Sequence, residues 1–128
     1  MAPPRASERE PAAAVGTRLE RTAERYLSER GLRTLARNYR CRGGELDLVM
    51  RHGDSIVFVE VRYRRSRAYG SAAESVDRRK QQRLLRAAEH YLARHGEQGR
   101  CPCRFDVVAV HGPPEALELD WIEGAFSA

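Results

Sequence analysis

The stretch Ile56-Val57-Phe58-Val59-Glu60-Val61-Arg62 constrains this chain more than any other. Four consecutive residues of β-branched and aromatic type suggest a central strand buried on both faces. Side chains alternate across a strand, so Glu60 and Arg62 leave one side while Val59 and Val61 leave the other. The preceding run Gly44-Glu45-Leu46-Asp47-Leu48-Val49 is a second strand, and the turn His52-Gly53-Asp54 joins the two as a hairpin. A hairpin brings Asp47 beside Glu60 and leaves Arg62 one step further along. Two carboxylates and a cation on an otherwise apolar sheet are costly to build as structure alone. They are well suited to holding a divalent metal against a phosphate.

The remainder of the chain supplies the covering layers. Residues 1–13 carry Pro3, Pro4, Pro11 and scattered charges without apolar periodicity, which predicts a disordered lead-in. Residues 14–128 are expected to form one domain. From Ala14, Val15, Leu19, Ala23, Tyr26 and Leu27 recur at helical spacing, and Gly31 is placed to end the helix. Glu20 lies beside that apolar stripe, where a boundary glutamate by default meets an arginine or solvent. Leu32–Arg40 is a first strand with Leu32, Leu35 and Tyr39 as its apolar contacts, and Cys41-Arg42-Gly43-Gly44 is a turn. The hairpin strands cover Glu45–Met50 and Ser55–Arg62, and Tyr63–Val76 is a loop. A second helix runs from about Asp77 to His95, capped by Asp77 or Ser75, with Leu84, Ala88, Tyr91 and Leu92 as its buried stripe and Gly96 at its end. Arg104–Val110 is a further strand, and Leu117–Ile122 a weak last one. The order is α-β-β-β-α-β with a weak final β.

Composition narrows the class of partner. The formal net charge of +5 favours an anionic ligand without identifying it. Lys80 is the only lysine; every other basic side chain is arginine, which suits bidentate phosphate contacts but also follows from a GC-rich genome. No apolar run reaches the length of a membrane span and no signal-peptide core follows Met1, so a cytoplasmic protein is expected, with no membrane partner. Three cysteines argue against a disulfide framework. Cys101-Pro102-Cys103 has the wrong spacing for a zinc knuckle, and two reduced thiols in a loop are the better interpretation.

The blocks Gly16…Glu20…Ala23…Tyr26-Leu27, Asn38-Tyr39-Arg40, Gly44-Glu45-Leu46-Asp47-Leu48, Phe58-Val59-Glu60-Val61, Lys80-Gln81 and Arg104-Phe105-Asp106-Val107 occur in this order. Together they resemble the YraN family of uncharacterised bacterial proteins, within the PD-(D/E)XK nuclease superfamily. The resemblance covers roughly Val15 to Phe126. It implies an α/β fold with a restriction-endonuclease-like αβββαβ core, a central mixed sheet flanked by helices. It also implies metal-dependent cleavage of nucleic acid, DNA foremost, with Mg²⁺ or Mn²⁺ as cofactor. Asp47 and Glu60 would then be metal ligands, with the backbone carbonyl of Val61 as a third. Glu20 matches the helix glutamate that resolvase-like relatives add to the site. Arg62 occupies the position of the superfamily lysine, a departure from the pattern.

That departure has a physical content. A guanidinium can offset charge on a phosphate, but it stays protonated and cannot be a base. Lys80, at the start of the second helix, can supply a substitute ammonium; otherwise it is an ordinary solvated helix residue. An Asp47–Arg62 or Glu60–Arg62 salt bridge with no metal is the plain structural alternative. Around the site, Arg64, Arg65 and Arg67 follow the Glu60 strand, while Arg79 and Arg83 belong to a basic run, Arg78 to Arg86, on the second helix. With Tyr63 and Tyr69 interleaved, they suit a phosphate-backbone track without sequence readout. Two functions follow: a Mg²⁺-dependent endonuclease, or a catalytically impaired nucleic-acid-binding or adaptor module that keeps the fold. Arg62 is the residue that favours the second.

Overall fold

A computed structural model describes residues 12–64 and 76–127. Their elements are α1 (Ala12–Ser28), β1 (Arg33–Cys41), β2 (Gly44–His52), β3 (Ser55–Arg64), α2 (Arg78–Arg94), β4 (Cys103–His111) and β5 (Glu118–Phe126), with a short 3₁₀ turn over Gln98–Arg100. The disordered lead-in expected for residues 1–13 falls on residues 1–11, outside the described ones, while Ala12 and Ala13 already belong to α1. None of the described helices is long and apolar enough to cross a membrane.

The five strands form one mixed sheet in the order β1-β2-β3-β4-β5, so the apolar strand β3 lies in the middle. β1, β2 and β3 pair antiparallel in sequence, β3 and β4 pair parallel, and β5 returns antiparallel to β4. A parallel pair needs a crossover connection, and α2 supplies it. The weak final strand is in fact a full nine residues, paired from Phe105↔Phe126 to His111↔Glu118. Alternation along β3 gives the sheet two cores. Ile56 and Phe58 pack with Leu84, Ala87, Ala88 and Tyr91 of α2, and Val57 and Val59 pack with Ala23 and Leu27 of α1.

Local chemistry sets the helix ends. Gly31 takes φ +95°, and the amides of Gly31 and Leu32 donate to the carbonyls of Ser28 and Leu27, closing α1 in a Schellman motif. Leu32 therefore belongs to that cap and to the α1-side core, not to the first strand where its apolar character suggested it. At the start of α2 the Asp77 carboxylate accepts from the Lys80 amide at 2.8 Å.

The β1–β2 turn fixes α2 against the sheet. A Cβ on Gly44 would lie 2.2 Å from the Arg83 carbonyl oxygen and 2.9 Å from its carbon. Helix backbone cannot move aside as a side chain can. Gly44→Ala is therefore expected to destabilise the fold by about 3 kcal/mol, lowering the melting temperature by roughly 10 °C. A melt unchanged from wild type would show that this close approach is not needed.

Candidate functional site

The sheet forks at the two carboxylates. The β2–β3 ladder runs from His52↔Ser55 to Leu48↔Val59 and stops there. Beyond it β2 stays paired with β1 through Tyr39↔Leu46 and Cys41↔Gly44, while β3 stays paired with β4 from Glu60↔Val107 to Arg64↔His111. Alternation also breaks at this point: Leu46 packs into the α2-side core, and Leu48, two residues on, into the α1-side core. Asp47 sits at the break. Its Oδ2 accepts the Val61 amide at 2.9 Å, a side chain taking a backbone donor where the ladder has ended.

The fork lets both helices contribute to one cluster. Asp47 is within hydrogen-bonding contact of Glu60 on β3 and of Glu20 on α1. Lys80, from the first turn of α2, places Nζ 3.4 Å from Glu60 Oε1. Arg62 Nη1 stands 3.8 Å from the same oxygen, the outer limit of an ion pair. Glu60 is only 5% exposed. Burial, reinforced by the charge of Asp47 and opposed by Lys80, pushes its carboxyl up to about 8. Glu20 is pushed up to about 7, first by burial and then by the charge and hydrogen bond of Asp47, with Glu45 adding to the effect. The Asn38 side chain works the other way by hydrogen-bonding Glu20. Near neutrality the cluster thus holds protons that ordinary carboxylates have lost, because three acids share a site served by two cations at one edge.

The donor chemistry bears on a metal. Among the described residues no group of three or more His, Cys, Asp or Glu side chains could hold a metal ion together. Mg²⁺ commonly takes one or two carboxylates and completes its shell with water and substrate oxygens. Asp47, Glu60 and the Val61 carbonyl are oxygen donors of that kind, in a site whose excess of carboxylate over cation a divalent ion would relieve.

The structure thus brings Glu20, Asp47, Glu60, Arg62 and Lys80 into one constellation, in which Lys80 is closer to Glu60 than Arg62 is. Lys80 is not the freely solvated residue its helix position allowed. Glu20 meets a carboxylate rather than an arginine. Of the basic track, Arg64 closes β3, and Arg79 and Arg83 are exposed on α2 on either side of Lys80 in sequence; Arg65, Arg67 and Tyr69 lie outside the described residues.

Sequence reasoning gave no role to Asn38, which holds φ +50° in β1 and contacts Glu20. An asparagine inside a strand is a mild anomaly and was the available signal. It also overlooked two buried acids. Glu24 accepts from Thr34 at 2.5 Å and from Arg37 at 2.8–2.9 Å, pinning α1 to β1. Asp106 accepts from Arg104 Nε at 3.0 Å, the Trp121 indole at 2.9 Å and the Gly124 amide at 3.0 Å, pinning β5 to β4. Both acids are matched by donors, as structural acids should be. Glu60 differs in lying against another carboxylate.

The model of the uncharacterised protein family UPF0102 matches residues 19–110. A UPF0102 protein of Stutzerimonas stutzeri is 56% identical over 113 residues, spanning 88% of this chain and 94% of that protein. One from Saccharophagus degradans is 51% identical over 113 residues, with 88% and 92% covered. Another, from Aeromonas hydrophila, is 50% identical over 112 residues, with 87% and 83% covered.

Proposed function

The chain belongs to the uncharacterised protein family UPF0102, which is the YraN family of the PD-(D/E)XK superfamily, and from that premise we propose that it is a divalent-metal-dependent endonuclease acting on DNA phosphodiester bonds. One observation carries this reading: a buried glutamate, Glu60, lies against Asp47 with the ammonium of Lys80 at 3.4 Å. A structural acid would be surrounded by donors; this one shares its site with a second acid.

Asp47, Glu60 and the Val61 carbonyl would hold Mg²⁺ or Mn²⁺. When bound, such an ion supplies charge to the phosphate and acidifies a water. The protein's own part is positional. The bond from the Val61 amide holds the Asp47 carboxylate in place beside Glu60. Lys80 takes the place that the superfamily gives to the residue at position 62. An ammonium there can orient a nucleophilic water and offset charge on the phosphoryl oxygens. Glu20, with its raised pKa, is suited to exchange a proton near neutrality. The exposed Arg79 and Arg83, with Arg64 at the end of β3, would meet the phosphate backbone. Free thiols at Cys41, Cys101 and Cys103 support the reducing cytoplasm as its place.

The test is a panel of branched, single-stranded and duplex DNA incubated with Mn²⁺ or with chelator. Metal-dependent scission of at least one substrate is expected, lost in Asp47→Ala and Glu60→Ala while DNA binding persists. A wild type inert on the whole panel would leave the second reading, a nucleic-acid-binding module without catalysis, which Arg62 at the lysine position favours. Both readings predict steep salt dependence. Replacing Arg64, Arg79 and Arg83 together by alanine should reduce the slope of log affinity against log salt by up to about 3. An unchanged slope would remove these arginines from the phosphate track.

A further inference from the structure

Tyr63 is the one large apolar or aromatic side chain left exposed among the described residues, at 51%. It follows Arg62 on β3, and alternation sends it to the α1 side of the sheet. There it borders a cleft of about 350 Å³ lined by Val15, Leu19, Arg18, Thr22, Pro114 and Leu117. The Tyr63 hydroxyl donates to the Gly112 carbonyl at 3.4 Å, which steadies the ring by its edge. Tyr63 lies three residue steps beyond Glu60, about 10 Å along β3. Leu19 of the cleft wall is the chain neighbour of Glu20 in the carboxylate cluster. The cleft therefore opens on the face of β3 opposite to Glu60, within a few nucleotides' reach of the acids.

We propose that this cleft receives one unpaired nucleobase of a DNA strand whose backbone passes the Asp47–Glu60 pair. The inference rests on the nucleic-acid reading above and deepens it by naming the substrate class: DNA with an unpaired base beside the phosphate contacted. The chemistry of the walls supports it. An aromatic face flanked by aliphatic side chains binds any base by stacking, independent of its identity. The volume is at the small end of ligand sites and suits a single ring system rather than a helix or strand of a partner. Arg18 at the wall and the net charge of +5 suit an anionic ligand. Duplex DNA keeps its bases stacked and can fill the cleft only by extruding one.

The test compares a single-stranded oligonucleotide carrying 2-aminopurine at one position with the same oligonucleotide abasic there, at equal length, charge and salt. The base-containing strand is expected to bind on the order of five- to a hundredfold more tightly, with a change in 2-aminopurine fluorescence. Tyr63→Ala should erase the difference and Tyr63→Phe should preserve it, each melting like the wild type because the side chain is exposed. Equal affinity for the two strands, or a preference that survives Tyr63→Ala, would overturn the cleft assignment while leaving backbone binding intact. Failure to bind either strand at low salt would overturn the nucleic-acid reading with it. A dimer in sedimentation that Tyr63→Ala dissolves would assign the cleft to a second copy of the chain and so overturn the proposal.

Discussion

Replacing Lys80 by methionine is expected to slow metal-dependent cleavage by about 10²- to 10³-fold, the usual loss when one preorganised charge is removed from a reaction centre. Arg62→Lys should change the rate by less than about tenfold. The asymmetry follows from geometry. Lys80 reaches Glu60 Oε1 at 3.4 Å from a helix start that Asp77 caps at the Lys80 amide, so its backbone is fixed. Arg62 approaches the same oxygen at 3.8 Å from a partly exposed position. An ammonium on a flexible stem can turn its three donors toward a water molecule, whereas a guanidinium holds its donors in a rigid plane. Methionine keeps the length of the stem and removes the charge, and Glu60 can then hold its proton, so folding at pH 6 should survive. Single-turnover rates of the two variants against the wild type decide the matter. Equal losses, or a larger loss for Arg62→Lys, would return the catalytic cation to position 62.

The second large effect is on stability. The Glu60 carboxyl has an ordinary value of 4.5 and is held at about 8 in the folded protein. Between these values the native state keeps a proton that the unfolded chain has released, so stability falls as pH rises through this window. Below about 4.5 both states are protonated and the effect vanishes. Glu20, held at about 7, contributes in the same direction over a narrower window. The melting temperature of the wild type should therefore drop between pH 5 and pH 8.5, by roughly 10 °C. Glu60→Gln removes the titrating group; its melt should lie above that of the wild type at pH 8.5 and close to it at pH 5. Mn²⁺ at pH 8.5 should raise the wild-type melt and leave Glu60→Gln unmoved, because the ion binds the ionised pair and not its amide replacement. A flat wild-type profile would mean that neither burial nor the charge of Asp47 raises the Glu60 carboxyl in the folded protein. A glutamine variant stabilised by Mn²⁺ like the wild type would put the metal elsewhere.

Much of this architecture is local and so legible in the chain. Alternation along Ile56–Arg62 is a property of any strand, and it separates Glu60 from Val59 and Val61 whatever surrounds them. The apolar stretch announces a central strand, since only the middle of a sheet covers both faces. Gly31 and Asp77 mark helix ends through hydrogen bonds to residues three or four away. Leu32 misled because an apolar residue after a glycine serves a Schellman cap as well as a strand. The final strand was underrated because Glu123 and Gly124 interrupt its apolar character. Its pairing is secured instead by Asp106, whose carboxylate takes the Trp121 indole and the Gly124 amide from across the sheet.

The site divides along the same line. By itself the sequence determined that Asp47 and Glu60 stand on neighbouring strands, because the turn at His52-Gly53-Asp54 joins two apolar runs as a hairpin. It determined the basic excess and the oddity of Arg62 in the same way. The tertiary structure alone decided that Lys80 is the nearer cation, since that depends on how α2 seats on the bare backbone of Gly43 and Gly44. It alone carried Glu20 from another helix to Asp47, and it alone opened the sheet between β2 and β3 so that both helices could reach one point. Side-chain alternation and turn chemistry are short-ranged and act within a few residues. Where a helix docks and where a sheet parts are settled by packing between segments far apart in the chain, for which no local pattern provides a record.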